Sequence, residues 1–243
     1  MDSVLSVDWV VPERVKAYVT TRKGGVSQAP FDGFNIGAHV GDAAEAVAYN
    51  REELKRLTQH PGSVYWLNQV HGCDVATLPK GGAITADAAY TNTPNTVCAI
   101  LTADCLPVVF ATRAGDEVAV AHAGWRGLCG GVLENTLACF KDPSSVVAYL
   151  GPAIGPSAFE VGGEVRAAFI EKDANAMSAF TPSTRSGKWL GDLYSLARLR
   201  LLQHGCQTIL GGEFCTYNDP ERFFSYRRDH DTGRMATLVW FDG

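Results

Sequence analysis

The 243-residue chain has no stretch of about 18 apolar residues, which excludes an apolar helical span of a membrane. It also lacks any long run of like charge: 21 basic residues face 26 acidic ones, and both are scattered. That excludes the basic stripe of a nucleic-acid-binding face, so no nucleic-acid partner is expected. Any anion site must be assembled locally from a few arginines. Cysteine pairs at Cys-x-x-Cys spacing are absent, and the total of seven is odd, so no disulfide framework is read. The opening residues, MDSVLSVDWVVPERV, carry acids where a signal peptide carries basic residues and lack a sustained apolar core. The expected location is the cytoplasm. Repeats, low-complexity tracts and linkers are absent too, so a single domain over 1–243 is expected, as a monomer or homodimer.

What is present reads as a mixed α+β chain. RVKAYVTT (14–21) alternates and is rich in β-formers, and SVYWL (63–67) reads as another strand. VCAILT (97–102), LPVVFAT (106–112) and EVAVAHA (117–123) are short apolar runs that suit strands buried on both faces. VVAYL from 146 and MATLVWF (235–241) extend the set. Asp42 and Glu45 have the spacing of a capping box opening a helix over 43–58, with Val47, Leu54 and Leu57 on one face. Further helices are expected after Trp125, over 161–171, and over 193–204 between an Asp192 cap and Gly205. Several strands are consecutive, so layered mixed sheets flanked by helices fit better than a doubly wound fold.

Three polar residues end or interrupt the apolar strands: His71 in NQVH, Cys105 in TADCLP and His122 in VAVAHAGWRG. Two imidazoles and a thiolate suit zinc with its fourth position left open for catalysis. Spacing alone does not decide, because separations of 34 and 17 residues match no local rule. The same residues also read as packed histidines and an inert thiol. Asp104 could carry a proton or cap a turn. Arg126, between Gly124 and Gly127, could meet an anion or lie on the surface. Glycine-rich loops offer Arg22, then Asn35, His39 and Asp42, then Tyr226, Arg227 and Arg228, which suit a phosphate or nucleoside ligand. Glu160, between Phe159 and Val161, reads as a helix-start residue or a buried proton carrier.

Together, LNQVHG, TADCLPVVF, AHAGWRGLCGGVL, GPAIGPSAFEVGGEV and FFSYRRD…TGRMA resemble the YfiH-type laccase-domain family from about Thr20 to the C-terminus. Asn68 departs from the glutamate that relatives often carry before QVHG. The resemblance implies a fold like that of certain cysteine-hydrolase toxins and a zinc site at His71, Cys105 and His122. It implies phosphorolysis of adenosine, inosine and methylthioadenosine, with adenosine deaminase activity. Arg22, Asn35, Arg126, Glu160, Tyr226 and Arg227 are the candidate substrate contacts, and Asp104 joins the three ligands as a candidate catalytic group. Two other chemistries suit the same residues. Copper in the same site would give a polyphenol oxidase, although the six histidines include no His-x-His pair of the kind a multicopper centre uses. A metal-free Cys105–His pair would give an amidase for peptidoglycan precursors.

Overall fold

The computed structural model describes residues 3–243. Two β-sheets lie face to face, with helices covering both outer faces. The first sheet runs Val4–Ser6, Val15–Thr20, Met235–Phe241, Val97–Thr102, Val64–Tyr65, with only the last pair parallel. The second runs Thr208–Gly211, Val146–Leu150, Leu106–Thr112, Val118–Ala123, Ala88–Thr91, Val75–Thr77; its outer pairs are parallel and its centre antiparallel.

Side-chain alternation explains the layering. Along Val97–Thr102, Cys98 and Ile100 face the second sheet, where they meet Val109, Ala111, Val118 and Val120. Val97, Ala99 and Leu101 point the other way, onto Phe34, Ile36 and the Leu54 side of helix Ala44–Thr58. The far face of the second sheet, with Leu106, Val108 and Phe110, is covered by Val132–Leu137, Gly163–Lys172 and Leu193–Gln203. Both faces of the central strands are therefore buried, and the runs are apolar without alternation. Each buried Val, Leu or Phe contributes roughly 1.5–3 kcal/mol relative to exposure.

The expected strands at 97–102, 106–112 and 235–241 have those bounds in the structure. Helix Leu193–Gln203 is capped by Asp192, whose carboxylate accepts from the Tyr194 and Ser195 amides, and Gly205 takes a left-handed φ of 93° past its end. The helix after Trp125 breaks into Trp125–Gly130 and Val132–Leu137 at Gly131, where φ is 108°.

Two local expectations fail. Asp42 does not cap the first helix: the N-cap is Ala43, and the Asp42 carboxylate is taken up by Ser27 Oγ, Asn35 Nδ2 and the Ala43 amide. Leu57 is exposed, because the buried stripe continues through Asn50, Leu54 and Thr58 instead. Sequence reading also misses a small sheet of Glu160–Gly162, Lys188–Gly191 and Phe180–Pro182, whose strands are too short to show periodicity. No helix among the described residues is long and apolar enough to cross a membrane.

Candidate functional site

The layering sets the site. The chain passes from the first sheet to the second through residues 103–105, between Val97–Thr102 and Leu106–Thr112, and again through 66–74 before Val75–Thr77. Cys105 sits in one crossing and His71 in the other. His122 lies near the end of Val118–Ala123, in register opposite Pro107. The ligand atoms of His71, Cys105 and His122 lie within 4.8 Å of one another. His71 Nε2 is 3.8 Å from Cys105 Sγ, and the two imidazole rings meet edge to face at 4.8 Å. Among the described residues this is the one group of three or more His, Cys, Asp or Glu placed to hold an ion.

Asp87, which sequence reading does not single out, organises the cluster. Its fully buried carboxylate contacts His122 Nδ1 at 2.8 Å and accepts from the amides of Val70, His71 and Gly72. This leaves His122 Nε2 for the cluster and fixes the turn that presents His71, whose φ is 60°. Burial pushes the Asp87 carboxyl up, but the hydrogen bond from His122 and the backbone amides outweigh it and hold it below the usual carboxylate range. Burial likewise pushes the Cys105 thiol up, and the charge and hydrogen bond of His122, then the hydrogen bond of His71, bring it below an ordinary cysteine. The readable clue to Asp87 is an acid inside the apolar segment AITADAAY.

The donor set fits a borderline-soft divalent ion. Asp87 supplies the carboxylate–histidine contact that orients a ligating imidazole. Gly124 keeps the space clear: a Cβ there would lie 2.9 Å from Cys105 Sγ and from His71 Cδ2.

The cluster lies on the wall of a cleft of about 830 Å³. Gln69 fixes one side by pairing its amide with both Leu101 backbone groups, at 2.8 Å each. The cleft also holds Arg51, Arg234, His39, Trp66 and Tyr226. Arg51 lies 4.4 Å over the Trp66 ring and Arg234 lies 5.8 Å from that of Tyr226. Burial, then Arg234 and Arg51, push the His39 pKa down.

The sequence candidates fall in different places. Tyr226 lines the cleft, and Asp104, Tyr226 and Arg227 line an adjoining hollow. Asp104 is pinned: Thr216 Oγ1 donates to one carboxylate oxygen and the Arg227 amide to the other, each at 2.6 Å. Arg22 turns away to Asp32 and the Pro220 carbonyl. Asn35 is fully buried and acts at one remove, its Oδ1 accepting the Arg234 amide. Arg126 lies against Trp125 and forms none of the cleft wall. Glu160 belongs to a strand rather than a helix start, and its carboxylate faces Ser183 and Arg185. Those two contacts hold it below the usual carboxylate range. Arg51 and Arg234 escaped sequence reading: Arg51 is one cation on an amphipathic helix, and Arg234 sits in a short loop before the last strand.

A layered α+β protein with a His–Cys–His cluster in a cationic cleft is the class that the fold and site define. The chain belongs to the multi-copper polyphenol oxidoreductase laccase family, whose model matches residues 16–242. It is 54% identical to "Purine nucleoside phosphorylase YfiH" of Escherichia coli K12 over 99% of both chains. It is 49% identical to "Purine nucleoside phosphorylase" of Haemophilus influenzae over 98% of this chain and 99% of that one. A crystal structure of a Neisseria meningitidis protein superposes with a TM-score of 0.94 at 50% identity, covering both chains fully. That of the Bacillus licheniformis hypothetical protein YfiH gives 0.86 at 29%, covering 94% of this chain and 93% of that one.

Proposed function

We propose that the chain is a zinc-dependent purine nucleoside enzyme that cleaves adenosine, inosine and methylthioadenosine with phosphate and also deaminates adenosine. The observation that carries this reading is the His71, Cys105 and His122 cluster in the same cleft as two half-buried arginines, Arg51 and Arg234. The names borne by the relatives agree with it. His71, Cys105 and His122 would hold the ion, which supplies Lewis acidity in a partly enclosed site.

The remaining chemistry belongs to the chain's own groups. Phosphorolysis needs phosphate held against the anomeric carbon while the purine leaves. Arg51 and Arg234 suit the phosphate, since a guanidinium offers forked N–H donors to paired oxygens. Their guanidiniums are already held by one nitrogen each, Arg51 Nε by the Ile36 carbonyl and Arg234 Nη1 by the Thr232 and Gly233 carbonyls, so binding through the remaining N–H donors orders little that was free. Trp66 and Tyr226 give aromatic surface beside them. Each oxygen of Asp104 takes one donor and keeps a second lone pair, so the carboxylate can carry a proton without releasing Thr216 or the Arg227 amide.

The test is to incubate zinc-loaded protein with adenosine, with and without phosphate. Adenine, hypoxanthine and ribose phosphate should form only with phosphate, and inosine with or without it. No product above background ends this reading.

A second reading rests on a different observation. Cys105, His122 and Asp87 form the order nucleophile, base, orienting carboxylate, with 2.8 Å between the last two. In that arrangement Cys105 would attack an amide without metal. Alkylation of Cys105 at a rate that chelators leave unchanged supports it, whereas protection that chelation removes supports the metal site. Copper would convert the same donor set to oxidase chemistry, and metal analysis of protein purified without added copper separates the two ions.

A further inference from the structure

A second hollow, of about 180 Å³, also reaches Cys105. It shares Ala103, Cys105 and Tyr226 with the large cleft, so the two spaces adjoin at the thiol. Their chemistry differs. The large cleft contains Arg51 and Arg234. The second hollow is walled by Trp125, Ile154, Phe159 and Leu193, and its charged groups are Asp104 and Arg227.

The two charges offset one another, so the hollow does not have the cationic character of the large cleft. Arg227 donates through Nη1 to the Glu160 carbonyl at 2.9 Å and lies 5.6 Å over the Phe159 ring, so it serves as part of the wall. Asp104 is only 8% exposed, and a carboxylate can only accept hydrogen bonds. Each of its oxygens takes one donor, from Thr216 or the Arg227 amide, and keeps capacity for another. A ligand here must therefore present flat apolar surface and an N–H donor at its edge. A phosphate or a sugar alone offers neither.

We propose that this hollow is the base subsite: it holds the heteroaromatic ring of a nucleoside, with Trp125 as platform and Asp104 accepting a ring N–H or amino group, while the large cleft holds phosphate. This rests on the nucleoside reading above. The substrate then lies across Cys105, with its glycosidic bond at the His71, Cys105 and His122 cluster. Trp125 sets affinity for the base, and Asp104 sets which bases are accepted.

The experiment is calorimetric titration of the zinc-loaded protein with free adenine and, separately, with inorganic phosphate. Trp125→Ala should weaken adenine at least tenfold, within the range that base stacking on an aromatic ring supplies, and change phosphate less than twofold. Trp125→Phe should recover most of the adenine affinity, which a merely unfolded Ala variant would not explain. Arg234→Ala should do the reverse, weakening phosphate and sparing adenine. The proposal is overturned if adenine fails to bind the parent protein at millimolar concentration, or if its binding follows Arg234 and ignores Trp125. Failure of the nucleoside reading looks different: adenine binds through Trp125, yet no nucleoside turns over.

Discussion

His122 and His71 reach the same point from opposite kinds of backbone. His122 is 3% exposed, on a strand paired along both edges, and its position follows from the register of the second sheet. His71 is exposed, sits at a φ of 60°, and lies outside any strand in a sheet-to-sheet crossing whose one ladder is the short pairing of Leu67–Asn68 with Ile84–Thr85. One buried carboxylate reconciles them: Asp87 takes the His122 ring with one oxygen and, with both oxygens together, the amides of Val70, His71 and Gly72. A loop ligand is made nearly as fixed as a strand ligand when its backbone donors converge on an acceptor that cannot move. That is preorganisation built from one side chain.

The largest effect should come from removing that common point. Asp87→Ala leaves three amides and the His122 ring nitrogen without their acceptor inside the protein. A loss of roughly 3–5 kcal/mol in urea unfolding is expected, the scale for breaking a buried charged pair, together with loss of stoichiometric zinc. If Asp87→Ala unfolds like the parent while still losing zinc, the two histidines are fixed independently and the comparison fails.

Cys105→Ala should separate function from fold. It removes the one thiolate of the three ligands, so zinc and turnover should both vanish. Stability measured in chelator should stay close to that of the chelated parent, because two sheets and their helices bury the core without the ion. Room-temperature unfolding of Cys105→Ala would instead make the metal structural.

Gly124→Ala tests which side of the site yields. The added methyl would crowd Cys105 Sγ and His71 Cδ2, each at 2.9 Å, while the strand bearing His122 is held on both edges. The loop side should give way, weakening zinc about 10–100-fold, as disturbance of a ligand's supporting contacts does. Amide exchange should quicken around His71 and stay slow along Val118–Ala123. Faster exchange in that strand would reverse the assignment of rigid and yielding sides.

The same contrast explains what could be read from the sequence. The buried strands show because two covered faces demand unbroken apolar runs, as in VCAILT and LPVVFAT. Leu193–Gln203 shows because Asp192 and Gly205 mark its ends locally. The three-residue strand Glu160–Gly162 carries no period, so Glu160 reads as a helix start. Asp42 has the spacing of a cap, but the loop side chains Ser27 and Asn35 compete for its carboxylate and win. In the site, the separations between His71, Cys105 and His122 follow from two chain crossings that no local pattern encodes, so their places at the ends of apolar strands make them candidates and motif resemblance is needed to decide for a metal site. Arg51 and Arg234 meet in the cleft from opposite ends of the chain. Asp87 left a trace, an acid among alanines, which only its contacts make meaningful.

The smallest expected effect sharpens the comparison most directly. His71→Gly and His122→Ala each delete one imidazole ligand, yet their stability costs should differ. At residue 71 the backbone is left-handed, a region costing an ordinary side chain about 1–2 kcal/mol and glycine nothing. Glycine also loses roughly 0.5–1 kcal/mol more conformational freedom on folding. The two terms nearly cancel, so chelated His71→Gly should unfold within about 1 kcal/mol of the chelated parent. His122→Ala removes one of the two partners of the buried Asp87 Oδ1, which keeps only the His71 amide, and should cost about 1–3 kcal/mol under the same conditions. Equal losses in parallel urea titrations would mean that the strand ligand carries no more of the fold than the loop ligand does.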